Sequence, residues 1–244
     1  VYEVLRAGRR EIARLQVARG VQEKGRLRDI LVLAQESGAR VEWLPRQQVE
    51  SLGENAQGVA LQAGEYPYSD LAEILERAAW QKEPPFLLLL DTLQDPQNLG
   101  SLMRTAEIVG VHGVLLPYRR TATVTPAVVT ASSGASEHLL IAQVNLAQAI
   151  EQLKEHDVWV MGLEGEPEQP GPQVQFPDQV RLDGPLALVV GSEGSGMRPL
   201  VRDSCDLLLR LPMRGRIESL NAAVAGSVGL YLAWQARGYS GRAA

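Results

Sequence analysis

Three short stretches of the 244-residue sequence hold the side chains whose types and spacing suit chemistry. The first, LLLLDTLQDPQNLGSLMRTAEIVG at residues 87–110, runs from an apolar strand through a polar turn into a helix. Asn98 stands where a helix cap belongs, ahead of a buried stripe of Leu99, Leu102, Met103, Ala106 and Val109. Gly100 and Arg104 lie one turn apart on another face. A glycine inside a helix costs roughly 1 kcal/mol relative to alanine, so Gly100 signals close approach of a backbone or a ligand. An arginine beside such a gap suits a phosphate. The second stretch, LALVVGSEGSGMRP at residues 186–199, is a buried strand ending in a glycine-rich turn. Gly191, Gly194 and Gly196 allow a ligand to lie against bare backbone, and Glu193 is placed to accept hydrogen bonds. The third, residues 207–234, passes from a strand through a polar loop, LPMRGRIESLN, into a helix rich in alanine and glycine, with Ser219 as the expected cap. Each stretch taken alone is equally explained by plain structure: a capped helix with an exposed arginine, a tight turn, a closely packed helix.

The elements around these stretches place them in an α/β fold. Apolar strands are expected at residues 86–90, 113–116, 158–163, 186–190 and 207–211. Helices are expected at residues 99–109, 126–130, 146–155 and 220–236. Short, continuously apolar strands that alternate with helices predict a parallel sheet covered on both faces, with ligands at the carboxyl ends of its strands. Ahead of it, residues 1–66 read as a small α/β domain. It opens with one amphipathic helix over residues 1–18, followed by helices at 27–37 and 45–52 and strands at 40–44 and 58–63. A proline-flanked connector spans 67–84, and residues 85–244 form the larger domain. The Pro- and Gln-rich segment at 164–183 is expected to be an exposed loop.

Composition narrows the function classes. Apolar residues make up 45% and charged residues 22%, the balance of a globular protein. No apolar run approaches the roughly 20 residues that cross a bilayer, and the start has no continuous apolar core, so a cytoplasmic location and no membrane association are expected. Cys205 is the only cysteine and His112, His138 and His156 are scattered, which leaves no thiolate cluster and no metal-ligand spacing. The histidines are expected at the surface or at caps, and no metal is expected. The net charge of −5 opposes a nucleic-acid partner, but its distribution does not. Residues 1–40 carry nine Lys or Arg against five Asp or Glu, and the remainder fifteen against twenty-four.

In this order and separation the three stretches resemble the SPOUT class of methyltransferases, and within it the TrmH-type RNA ribose 2′-O-methyltransferases. The likeness runs from Phe86 to the C-terminus and includes TPAVVTASSGASEHL at residues 125–139. The front domain, with AQGVAL at residues 56–61, is similar to the ribosomal-protein-like module of the bacterial 23S rRNA guanosine 2′-O-methyltransferases, although Ala56 stands where that family commonly has His. The resemblance implies a C-terminal domain tied in a deep trefoil knot, S-adenosylmethionine as cofactor, structured RNA as substrate and a homodimer formed through the knotted domain. It assigns the cofactor to Gly191, Glu193, Leu211, Met213, Ser219 and Leu220, and catalysis to Arg104 with Asn98, Glu193, Ser219 and Asn221.

Methyl transfer to a ribose oxygen needs an aligned nucleophile that loses a proton as it attacks. Because guanidinium is almost never deprotonated in proteins, Arg104 is expected to hold the neighbouring phosphate and the developing alkoxide, with the proton leaving to that phosphate, to Glu193 or to water. Ribosomal RNA is the expected substrate. Transfer RNA, or a noncatalytic RNA-binding role, is the alternative. A dinucleotide oxidoreductase is disfavoured because the glycines at residues 191–196 lack the dinucleotide spacing.

Overall fold

A computed structural model describes residues 1–53, 56–165, 171–217 and 219–241. It divides into two compact units, Val1–Pro67 and Tyr68–Ala244.

The first unit contains α1 (Tyr2–Ala7), β1 (Ile12–Ala18), α2 (Arg26–Glu36), β2 (Arg40–Leu44), α3 (Arg46–Glu50) and β3 (Val59–Ala63). The strand order is β2-β1-β3, with β1 parallel to β2 and antiparallel to β3. Leu5, Leu15, Val17, Leu27, Ile30 and Ala34 form its core. The single helix expected over residues 1–18 is instead a short helix and a strand. Gly8 closes α1 in the left-handed conformation at φ 62°, and β1 then becomes the central strand. Both its edges are hydrogen-bonded, which outweighs the weak helical spacing of Leu5, Ile12 and Leu15.

The second unit begins with α4 (Leu71–Gln81), which lies in the segment read as a connector. Asp70 caps it in a reciprocal capping box with Glu73, and its Leu71 and Ile74 join the main core. There follow β4 (Phe86–Leu90), α5 (Pro96–Ile108), β5 (Gly113–Pro117), α6 (Pro126–Ala131), β6 (Leu140–Val144), α7 (Leu146–Glu155) and β7 (Trp159–Leu163). The unit ends with β8 (Gln173–Gln175), β9 (Leu186–Val190), α8 (Pro199–Asp203), β10 (Leu207–Leu209) and α9 (Ala222–Ala236). Seven strands form one sheet in the order β6-β5-β4-β9-β7-β10-β8, parallel throughout. Every residue of β4, β5 and β9 is buried, as a sheet covered on both faces requires.

Strand β6 and helix α8 were not anticipated. The expected loop at residues 164–183 carries β8, which pairs with β10 and packs Val174 against the core. Residues 166–170 of it lie outside the described residues. Two glycines of α9 allow close packing within the unit: a β-carbon on Gly226 would meet Leu102 of α5 and Val190 of β9, and one on Gly229 would meet Leu188 of β9 and Leu163 of β7.

Candidate active site

The main chain sets the site first. Registered pairing of Leu90 with Val190 puts the loops after β4 and β9 side by side at the carboxyl edge of the sheet. They are fastened by Asp91, which is fully buried. One of its oxygens receives the Arg198 backbone N–H and the other the Arg198 guanidinium, each at 2.7 Å. A buried carboxylate held by two charge-assisted bonds and a main-chain donor fixes the span of the glycine turn. Within that turn Ser192 and Gly196 exchange backbone hydrogen bonds at 3.0 Å. Gly191 is required by the turn itself, since a β-carbon there would run into the backbone of Gly196 and Met197. Gly194 and Gly196 have φ of 82° and 63°, with open space where a side chain would stand.

Side chains from all three stretches meet above this frame. Asn98 does not cap α5. Asp95 does, its carboxylate accepting from the Gln97 N–H at 2.9 Å, with Pro96 in the first helical position. That leaves the Asn98 side chain free to donate to Glu193 Oε1 at 3.0 Å. Ser219 does not cap α9 either. Asn221 does, its Oδ1 accepting from the N–H groups of Ala223 and Val224 at 2.9 and 3.2 Å. With the oxygen committed to the helix end, the Asn221 amide nitrogen must point the other way, where it donates to Asn98 Oδ1 at 3.1 Å and to Glu193 Oε1. Asn98, Glu193 and Asn221 thus form a closed hydrogen-bonded cluster. It leaves Glu193 Oε2 without a protein donor among the described residues.

The cluster borders a cleft of about 560 Å3, whose lining includes Asn98, Ser192, Glu193, Gly196, Met197 and Arg120. Of the other expected site residues, Leu211 is buried and Met213, Ser219 and Leu220 are exposed along the irregular path from β10 to α9. None of these four lines the cleft.

Arg104 lies elsewhere. Its Nη1 donates to Ser133 Oγ at 3.1 Å, and it makes no hydrogen bond to Asn98, Glu193 or Asn221. Gly100 explains the placement: Ala131 and Ser132, which end α6, press against its α-carbon, so the following turn, with Ser133 at φ 54°, reaches Arg104 one helical turn along. The close approach expected at Gly100 is therefore a backbone. Ser133 and the Asp91–Arg198 lock carried no sequence signal of their own.

His112, expected at the surface or a cap, is buried. Its Nδ1 accepts from the Phe86 N–H at 3.0 Å, and Nε2 lies 3.4 Å from Glu83 Oε2. Burial pushes its pKa below the ordinary value, against the pull of Glu83 and with repulsion from Arg237 and Arg77. No group of three or more potential metal ligands occurs among the described residues. Nor is any helix there long and apolar enough to cross a membrane.

Known proteins share both sequence and architecture with this chain. Residues 85–231 match the SpoU rRNA Methylase family, and residues 1–69 match an RNA 2′-O ribose methyltransferase substrate-binding module. The putative TrmH family tRNA/rRNA methyltransferase YacO of Bacillus subtilis is 41% identical over 219 residues, covering 88% of this chain and 84% of its own. The SpoU methyltransferase AviRb of Streptomyces viridochromogenes, solved with AdoMet, superposes with a TM-score of 0.78 at 22% identity, over 97% of this chain and 87% of that one. An AdoMet-bound rRNA methyltransferase of Sinorhizobium meliloti superposes at 0.77 and 23% identity, over 96% and 85% of the two chains. Below 25% identity these structures speak for the fold, whereas the matched family model and the Bacillus relative establish that the chain belongs to the SpoU/TrmH family of RNA methyltransferases.

Proposed function

We propose that the protein transfers the methyl group of S-adenosylmethionine to a ribose 2′-hydroxyl of structured RNA, and that its substrate is ribosomal RNA. The observation that carries this reading is the closed cluster of Asn98, Glu193 and Asn221 at the carboxyl edge of the sheet, beside a cleft of about 560 Å3. The match of the front unit to a 2′-O ribose substrate-binding module supports the ribose oxygen as acceptor and RNA as partner. Transfer RNA is the second reading, because the Bacillus relative is described as a putative tRNA/rRNA methyltransferase.

When bound, S-adenosylmethionine supplies an electrophilic sulfonium methyl. The chain fits it with bare backbone at Gly194 and Gly196, where open space stands in place of a side chain. We assign its adenine and amino-acid ends to Gly191, Leu211, Met213, Ser219 and Leu220, with Glu193 close by. Asn98 and Asn221 hold the Glu193 carboxylate so that Oε2 accepts the hydrogen bond of the attacking hydroxyl and orients it. Arg104 acts as a cationic clamp on the adjoining phosphate and on the alkoxide that develops. Ser219 completes the donor set around the ribose.

Within one chain Arg104 bonds Ser133 and makes no hydrogen bond to the cluster, which supports a homodimer in which one copy's Arg104 completes the other's site. The exposed Val224, Val228 and Tyr231 of α9, beside a second cleft of about 520 Å3 against α5, offer a face for the pairing. The proposal includes the trefoil knot. Its support is the strand order, in which β9 is inserted between β4 and β7 and β10 then falls outside β7. We place the activity in the cytoplasm, consistent with a lone, buried cysteine.

The test is transfer of labelled methyl to total RNA from a strain lacking the protein, followed by mapping of the modified nucleotide. Label at a ribose 2′-oxygen of ribosomal RNA is the expected result. Label confined to transfer RNA overturns the substrate, label on a base overturns the acceptor, and calorimetry without heat on adding S-adenosylmethionine overturns the cofactor.

A further inference from the structure

The cleft wall contains four charged side chains, and three are already engaged. Asp95 caps α5, Glu193 belongs to the amide cluster and Arg198 is bound by Asp91. The fourth, Arg120, has no counter-charge within 4.0 Å among the described residues, and the same holds for the adjoining Arg119. Both sit in the turn after β5, next to Tyr118, a residue that is 67% exposed.

This turn is built and held. Arg120 has φ of 62°, a left-handed conformation that a side chain enters at a steric cost and that glycine adopts freely. The conformation is secured from the loop after β4, where the Leu93 carbonyl accepts from Thr121 Oγ1 at 2.9 Å and from the Ala122 N–H at 2.8 Å. An arginine that holds this left-handed conformation, lines a cleft and has no counter-charge among the described residues leaves its guanidinium available to an anion. An exposed aromatic ring beside uncompensated arginines is the combination that holds single-stranded nucleic acid, with guanidinium on phosphate and the ring under a base.

We propose that Tyr118, Arg119 and Arg120 form a binding subsite for the RNA strand next to the target nucleotide. Arg120 takes a phosphate at the mouth of the cleft and Tyr118 stacks on an unpaired base. The inference rests on the reading of the cleft as the methyl-transfer site, and it adds a second point of attachment for the strand beside that site.

The experiment compares wild type with Arg120→Gln, Arg120→Gly, Tyr118→Ala and Tyr118→Phe, using total ribosomal RNA from cells lacking the protein as the probe. Filter binding over a range of salt concentrations is measured beside methyl-transfer kinetics and S-adenosylmethionine calorimetry. Loss of one charge-assisted contact weakens RNA binding about tenfold in either Arg120 variant. It makes the slope of log affinity against log salt shallower by about 0.7. The KM for RNA rises in parallel, while kcat and cofactor affinity stay within about twofold. Arg120→Gly suits the backbone conformation, so it folds, and weaker binding in that variant reports the lost charge. Tyr118→Ala weakens binding and Tyr118→Phe restores it, because stacking needs the ring and not the hydroxyl. RNA binding and salt slope unchanged in both Arg120 variants would overturn the subsite. A wild-type protein that binds RNA through Arg120 but transfers no methyl would instead overturn the function assigned to the cleft and leave the subsite standing.

Discussion

At the scale of single residues, Glu193 and Arg104 carry different parts of the reaction and should fail differently. Glu193 is held by two amides that approach the same oxygen, so Glu193→Gln can keep both of those bonds while putting an amide donor in place of the Oε2 acceptor. We expect kcat to fall roughly 10²- to 10⁴-fold with S-adenosylmethionine affinity retained, as for loss of a positioned proton acceptor. For Arg104→Ala a fall of about 10²- to 10³-fold is expected, and Arg104→Lys should recover little of it, since a point charge does not reproduce the guanidinium fork. Single-turnover methyl transfer distinguishes these outcomes, and near-normal rates in Arg104→Ala would remove that residue from the chemistry. Cys205 stands apart from the reaction: burial pushes its thiol up to about 12. It should resist alkylation at neutral pH until the chain unfolds.

The scale of the element separates catalysis from stability at Asn221, which caps α9 and also positions Glu193. Asn221→Ala loses two cap hydrogen bonds and should cost about 1 kcal/mol of stability together with most of the activity. Asn221→Asp keeps the cap but sets a second carboxylate against Glu193, so thermal melting should be near wild type while methyl transfer is lost. The opposite edge of the sheet carries a pH dependence. His112 accepts the Phe86 N–H through Nδ1, which requires the neutral ring, and burial lowers its folded pKa. The unfolded chain, with an ordinary value of about 6.5, therefore binds the proton more readily. Stability is full above that value and falls as pH drops below it toward the folded pKa. Urea unfolding at pH 8 and pH 5 should show a larger loss in wild type than in His112→Gln. Equal losses would place the titration elsewhere.

At the scale of the whole molecule, the division of labour between two copies can be tested by complementation. Arg104→Ala and Glu193→Gln are each expected to be inactive alone. Mixed after partial denaturation and refolding, they should regain activity through heterodimers that hold one intact site. No recovery, with a dimer present by light scattering, would mean that each site draws all its residues from one chain. The two compact units suggest a second division: a protein consisting of Tyr68–Ala244 should bind S-adenosylmethionine and lose most of its affinity for RNA.

The sequence by itself determined the parallel sheet, because residues 86–90 and 186–190 are apolar at every position and only burial on both faces accommodates that. It also determined the three stretches of the site, since Gly100, the glycines at 191–196 and the Ala- and Gly-rich helix are costly choices without close neighbours. It did not determine which polar residue does which work. Asp95 and Asn98 are both acceptable caps, as are Ser219 and Asn221. Only the contacts across the sheet, with Glu193 facing Asn98 and Asn221, decided that the first of each pair was not the answer for both helices. Nor were the strand at Ile12–Ala18, the burial of His112 or the outer strand at Gln173–Gln175 legible, because each owes its state to partners distant in sequence. Local propensity names the elements that can form. Pairing and packing between distant segments decide which of them do, and which side chains are left over for chemistry.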